Sequence, residues 1–169
     1  MPRMIDPVKP SWLERAERDT GLREIPGMAT EPRIRRWLIE ARAWWNDDET
    51  PWCGVAMRAW MTACGIAAPA RYYKALSWAD WGDPLERPAY GCIAVWRRRG
   101  GGHVNLLVGI DQSDRYLGLG GNQRDSVCVL PFDQDRLEVL RWPPGQWLAE
   151  RRSPLPYRLY TGSSSNQEV

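Results

Sequence analysis

The chain has 169 residues, 43% of them hydrophobic, which suits one compact domain with a core of its own rather than two domains or a disordered polymer. Lys and Arg number 23 against 21 Asp and Glu, and a formal charge of +2 is too small to argue for a nucleic-acid partner. No apolar run is long enough to span a bilayer and the start, MPRMIDPVKPSW, lacks the character of a signal peptide; the expectation is a monomer made in the cytoplasm with no membrane span.

Ser11 followed by Glu14 is a capping-box pattern that opens a short helix through Trp12, Leu13 and Ala16, with Gly21 placed to end it. Ile34, Trp37, Leu38, Ala41, Trp44 and Trp45 then recur at helical spacing, with Pro32 near the start. After an acidic linker from Asn46 to Thr50, Pro51 suits a first helical turn. The third helix beginning there has an apolar face of Cys53, Ala56, Met57, Trp60, Met61 and Cys64, with Gly65 as its cap. Residues 66–89 read as a connecting loop along a cleft, with a short helix around Tyr72 to Leu76 and a Trp78, Trp81 pair.

From Gly91 the pattern changes to short β-rich runs: Cys92 to Trp96, Val104 to Ile110, Tyr116 to Leu119, Val127 to Leu130 and Leu137 to Trp142. Helices first and strands second predict an α+β domain, its third helix packed on a mostly antiparallel sheet. A single domain is expected over 1–160, with the polar residues 161–169 a disordered tail.

Four cysteines stand far apart with no C-x-x-C pair, so free thiols are expected rather than a disulfide framework. With one histidine, a zinc site would need cysteines at irregular spacing, and no metal or other cofactor is expected. Cys53 falls in the first turn of the third helix, where backbone N–H groups and the dipole favour a thiolate and can hold an oxyanion. An isolated cysteine on an apolar face is more often plain core packing, and Cys64, Cys92 and Cys128 keep that reading. His103 follows Gly100, Gly101 and Gly102 and opens a strand, a position from which its ring can face a cleft. A cysteine nucleophile needs such an imidazole, so the two form a coherent pair. Asn122, in Gly120-Gly121-Asn122-Gln123, lies one strand further on, where its amide either orients the imidazole or belongs to a simple turn.

The ordered set Thr50-Pro51-Trp52-Cys53, Pro88-x-x-Gly91-x-Ile93-Ala94-Val95-Trp96, Gly102-His103-Val104 and Leu119-Gly120-Gly121-Asn122-Gln123 resembles the CHAP and NlpC-like peptidoglycan hydrolases. It is most similar to a phage and prophage subgroup with D-E-T-P-W-C, G-H-V and G-G-N-Q motifs, and the likeness runs from about Trp12 to Trp142. The resemblance implies a papain-like fold and cleavage of a stem peptide or of the sugar–peptide amide in bacterial peptidoglycan. By position, Cys53 is then nucleophile, His103 general base and acid, and Asn122 the orienting residue, with Trp52, Trp78, Trp81 and Gln123 binding substrate. Two positions depart from the family pattern: Cys92 stands where Asp is common, and Asn105 where Gly often follows H-V. Some CHAP relatives bind calcium ahead of the cysteine, but Asp47, Asp48 and Glu49 lack the alternating pattern of a calcium loop and read as a solvated linker. Without a signal peptide, a phage lysin acting on the wall after release is expected; the alternatives are a noncatalytic wall-binding or virion structural module and a delivered antibacterial amidase toxin.

Overall fold

In the computed structural model, residues 6–27, 29–48, 50–146 and 152–162 are described. The helices come first: α1 (Ser11–Glu17), α2 (Pro32–Glu40) and α3 (Cys53–Ala63). A 3₁₀ turn (Ala75–Asp80) leads into the strands β1 (Asp83–Leu85), β2 (Ile93–Arg98), β3 (Gly101–Ile110), β4 (Tyr116–Gln123), β5 (Ser126–Phe132) and β6 (Leu137–Trp142). The domain is thus α+β, as the order of patterns predicts, and its sheet is antiparallel in the order β1-β6-β2-β3-β4-β5. No helix among the described residues is long and apolar enough to cross a membrane.

Local chemistry explains where the helices begin and end. In α1 the expected capping box is absent: Pro10 is the N-cap without a side-chain bond, Ser11 is already helical, and Glu14 pairs with Arg18 one turn on. Glu31 caps α2 by accepting hydrogen bonds from the Arg33 and Ile34 amides. That helix closes earlier than its apolar periodicity suggests. Arg42 adopts a left-handed φ of 52°, its N–H donates to Ile39 O, and the Ala43 N–H donates back to Leu38 O, the paired bonds of a Schellman closure. Trp44 and Trp45 therefore leave the helix. The same closure ends α3 at Gly65 (φ 74°), where the Gly65 and Ile66 amides donate to Thr62 O and Met61 O, as the glycine predicts.

The buried face of α3 is nearly continuous from Cys53 to Met61, because the helix is sandwiched rather than merely laid on a surface. Its N-terminal turn approaches its neighbours more closely than any side chain permits. A Cβ on Gly54 would lie 2.0 Å from Tyr72 O, and one on Gly121 of β4 would lie 2.6 Å from a Trp52 ring carbon and 2.7 Å from Ala56 Cβ. These two glycines let α3 settle with its first turn between the Tyr72 segment and β4. Residues 152–162 return beside it, with Tyr157 bridged to Ile110 and the Tyr90 amide donating to Ser153 O. Most of the expected tail, 163–169, lies outside the described residues.

Candidate active site

Cys53 is the first residue of α3, with Trp52 as an N-cap that offers no side-chain hydrogen bond. The first-turn amides are consequently left to serve whatever occupies that end of the helix. The Cys53 thiol is 5% exposed. Burial pushes its pKa up, while hydrogen bonding to the Val104 and Gly54 amides and the charge of Arg98 pull against that rise. Val104 immediately follows His103, so the end of α3 and the strand carrying the histidine meet at the thiol. The four cysteines are free, and Cys92, sealed in the core, is pushed up to about 12, consistent with a packing role.

His103 is fully buried, and lies within β3 opposite Trp96 rather than at the strand's opening edge. Phe132 stacks on its ring at 5.6 Å and 7°, and Trp96 stacks on Phe132 at 4.7 Å. The imidazole Nε2 lies 2.8 Å from Gln123 Oε1. That contact belongs to a chain whose proton positions follow from chemistry alone. Trp96 Nε1 only donates, and it donates to Asn105 Oδ1 at 2.8 Å, so Asn105 Nδ2 must face Gln123 Oε1, which it reaches at 3.1 Å. Gln123 Nε2 in turn donates to Gly118 O and Cys128 O. With both amide orientations fixed, Gln123 Oε1 can only accept, and the proton of a neutral His103 sits on Nε2. Nδ1 is then the basic nitrogen; it is buried and has no hydrogen-bond partner among the described residues.

Burial is the main reason the His103 pKa falls to about 3, with the Arg98 charge adding to the shift and the Gln123 hydrogen bond opposing it. Burial thus favours a neutral thiol at Cys53 and a neutral imidazole at His103, rather than the thiolate–imidazolium pair that a lone helix N-terminus would favour. Brought within hydrogen-bond reach of each other, such a pair can act by general base catalysis, the sulfur proton passing to Nδ1 as Sγ attacks.

The expected orienting residue is corrected by one position. The pairing of Leu106 with Leu119, continued three residues, would set Asn122 across from His103. The register of β4 against β5 shifts between Gly120 and Gln123, and Asn122 takes a left-handed φ of 56°. The turned backbone presents Gln123 to the ring instead. Gln123 is completely enclosed, so it holds the imidazole and offers nothing to a substrate. Trp52 and Trp78 are likewise enclosed, contrary to the expected cleft walls. Trp52 Nε1 donates to Glu24 Oε1 and Trp78 Nε1 to Tyr72 O, and both rings are structural. Trp81 is partly exposed, stacked edge-on to Trp78 at 4.9 Å and donating to Ala67 O.

Asn105 and Trp96 are the members that sequence reasoning did not assign. Their signal was modest: Asn105 sits two residues from His103 and so shares its face of the strand. Asn105 lies against the glycines of β4. A Cβ on Gly118 would come 2.1 Å from Asn105 Nδ2, and one on Gly120 would come 2.5 Å from Gln123 Oε1. The Gly-rich run of β4 is the space that the two amides occupy.

The acidic linker serves the backbone. Asp48 is buried and accepts from the Glu31 amide at 2.8 Å and the Ile25 amide at 3.3 Å, while Asp47 Oδ1 accepts from the Thr50 amide; Glu49 lies outside the described residues. Among the described residues no group of three or more His, Cys, Asp or Glu side chains converges as a metal site would require. Comparison of the sequence with models of protein families and with curated proteins finds no match to either.

Proposed function

We propose that the chain is a papain-like cysteine hydrolase of bacterial peptidoglycan, cutting a peptide or amide bond, in the manner of a phage lysin. The observation that carries this reading is that the Cys53 end of α3 meets the strand of His103 at the Val104 amide. A cysteine opens a helix with uncapped amides, the neighbouring strand supplies a histidine whose Nδ1 is the basic nitrogen, and a glutamine fixes that tautomer. Cys53 attacks the carbonyl as its proton passes to His103, and the first-turn amides of α3 stabilise the oxyanion. His103 then protonates the leaving amine, and water hydrolyses the thioester. The substrate class rests on the sequence resemblance, and the chemistry on the residues.

A noncatalytic wall-binding module of the same fold would have no use for a protonation state fixed through four side chains, which favours the enzyme. Purified peptidoglycan incubated with wild type and with Cys53→Ala decides between them. Wild type is expected to release fragments identifiable by mass spectrometry and the variant none. Inactivity of a folded wild type against walls of several chemotypes would remove the hydrolase reading.

A further inference from the structure

Beside the nucleophile, on the side from which the chain enters α3, lies a pocket of about 280 Å³ walled by Trp44, Trp45, Tyr73, Thr50 and Pro51. Pro51 is two residues from Cys53, and at about 3.8 Å per Cα step its Cα lies within about 8 Å of the nucleophile's. The pocket exists because α2 closes at Arg42: the released Trp44 and Trp45 fold over Tyr73 instead of continuing the helix. The ring centroids of Trp44 and Trp45 are 4.6 Å apart, those of Trp44 and Tyr73 also 4.6 Å, and all three contacts in the cluster are edge-to-face. The cluster is thus formed before any ligand arrives, yet Trp44 remains 74% exposed, the second most exposed large hydrophobic side chain of the described chain.

Two further features specify the ligand. Trp45, which lines the pocket, has a buried Nε1 with no acceptor among the described residues. Among the described residues no charged side chain lines the pocket, so a carboxylate of a stem peptide would lose its hydration there without gaining a counter-charge. A neutral ring with C–H faces for stacking and oxygens for the indole and the Thr50 hydroxyl meets all of these conditions. Building on the hydrolase reading, we propose that Trp44, Trp45 and Tyr73 form a saccharide subsite for an N-acetylated pyranose of the glycan strand, which selects the amide joining that sugar's lactyl group to the stem peptide.

The connection suits the spacing. In that amide the scissile carbonyl belongs to the lactyl substituent of the ring itself, whereas every further peptide bond of the stem lies another ~3.5 Å away. In the reaction a bond forms between Cys53 Sγ and the lactyl carbonyl carbon, and the C–N bond breaks. The amine of the first stem residue departs with the proton from His103. Water then splits the thioester, giving the lactyl carboxylic acid and restoring the thiol.

Calorimetric titration of the Cys53→Ala protein with the β-1,4-linked N-acetylglucosamine tetramer tests the subsite apart from catalysis. Binding is expected, with Trp44→Ala in the same background weakening it by about tenfold and Trp44→Phe restoring most of the loss. The exposure of Trp44 makes a folding defect an easily checked alternative, through an unchanged melting temperature. No binding by folded Cys53→Ala protein, or equal affinity with and without the Trp44 ring, overturns the subsite. On sacculi, wild type is expected to leave glycan strands with free lactyl carboxylates; Cys53-dependent cuts inside the stem overturn the choice of bond. Sugar binding without any cleavage defeats the hydrolase reading and leaves the pocket standing, so the two failures are distinguishable.

Discussion

At the scale of single residues the site turns on Gln123. Its amide nitrogen is held by two backbone carbonyls and its oxygen takes one proton from His103 and another from Asn105, so the side chain has a single orientation that satisfies every partner. Replacing it with Ala leaves the imidazole free to rotate and Nε2–H without an acceptor. We expect Gln123→Ala to lower kcat about a hundredfold with little change in KM, since substrate contacts are untouched, as steady-state kinetics on soluble muropeptides would measure. A fall in KM affinity of equal size with kcat intact would instead assign Gln123 to substrate binding.

At the scale of elements, the candidate site depends on how closely α3 approaches the sheet and the Tyr72 segment. Gly54 and Gly121 are the contact points, and both bring backbone or ring atoms into space that a methyl group would fill. Gly54→Ala forces α3 away from the Tyr72 carbonyl, and overpacking against backbone is expected to cost about 2–3 kcal/mol in denaturant unfolding. Activity should fall further than stability, because the displaced turn carries Cys53. Gly101→Ala is the contrast: a Cβ there meets nothing within 4 Å and its φ is not left-handed, so wild-type stability and activity are expected. Equal losses for the two variants would contradict the close-approach account.

At the scale of the whole molecule, a completely buried neutral histidine makes the fold acid-sensitive. The folded pKa of His103, about 3, lies below the unfolded value, so between about pH 6.5 and pH 3 the unfolded chain binds a proton that the native state does not. Stability is therefore full above that window and falls as the pH drops through it, by about 1.4 kcal/mol per unit where the difference is a whole proton. Comparing pH 6 with pH 5 avoids most carboxylate titration. Wild type should lose stability over that step and His103→Gln should lose much less, by urea unfolding at each pH. An equal loss in both would place the acid sensitivity elsewhere.

Much of this architecture was legible in the amino acids because it is local. Helix and strand periodicities, Gly65 as the end of α3, and the α+β order follow from interactions within a few residues. The meeting of Cys53 with the His103 strand was inferable from the chemistry of the pair. What the sequence concealed depends on contacts made across the fold. A one-residue register shift in β4 decides that Gln123 rather than Asn122 holds the imidazole, and a change of one residue in a strand exchanges faces. Arg42 ends α2 in a conformation usually reserved for glycine, which converts two apparent core tryptophans, Trp44 and Trp45, into the wall of a pocket. Trp52 and Trp78, which read as cleft residues, are core because burial is a property of what packs above a side chain. The sequence by itself determined the elements and the reacting residue types; only the tertiary structure decided which neighbours fix their protons, because hydrogen-bond partners far apart in the chain are selected by three-dimensional packing.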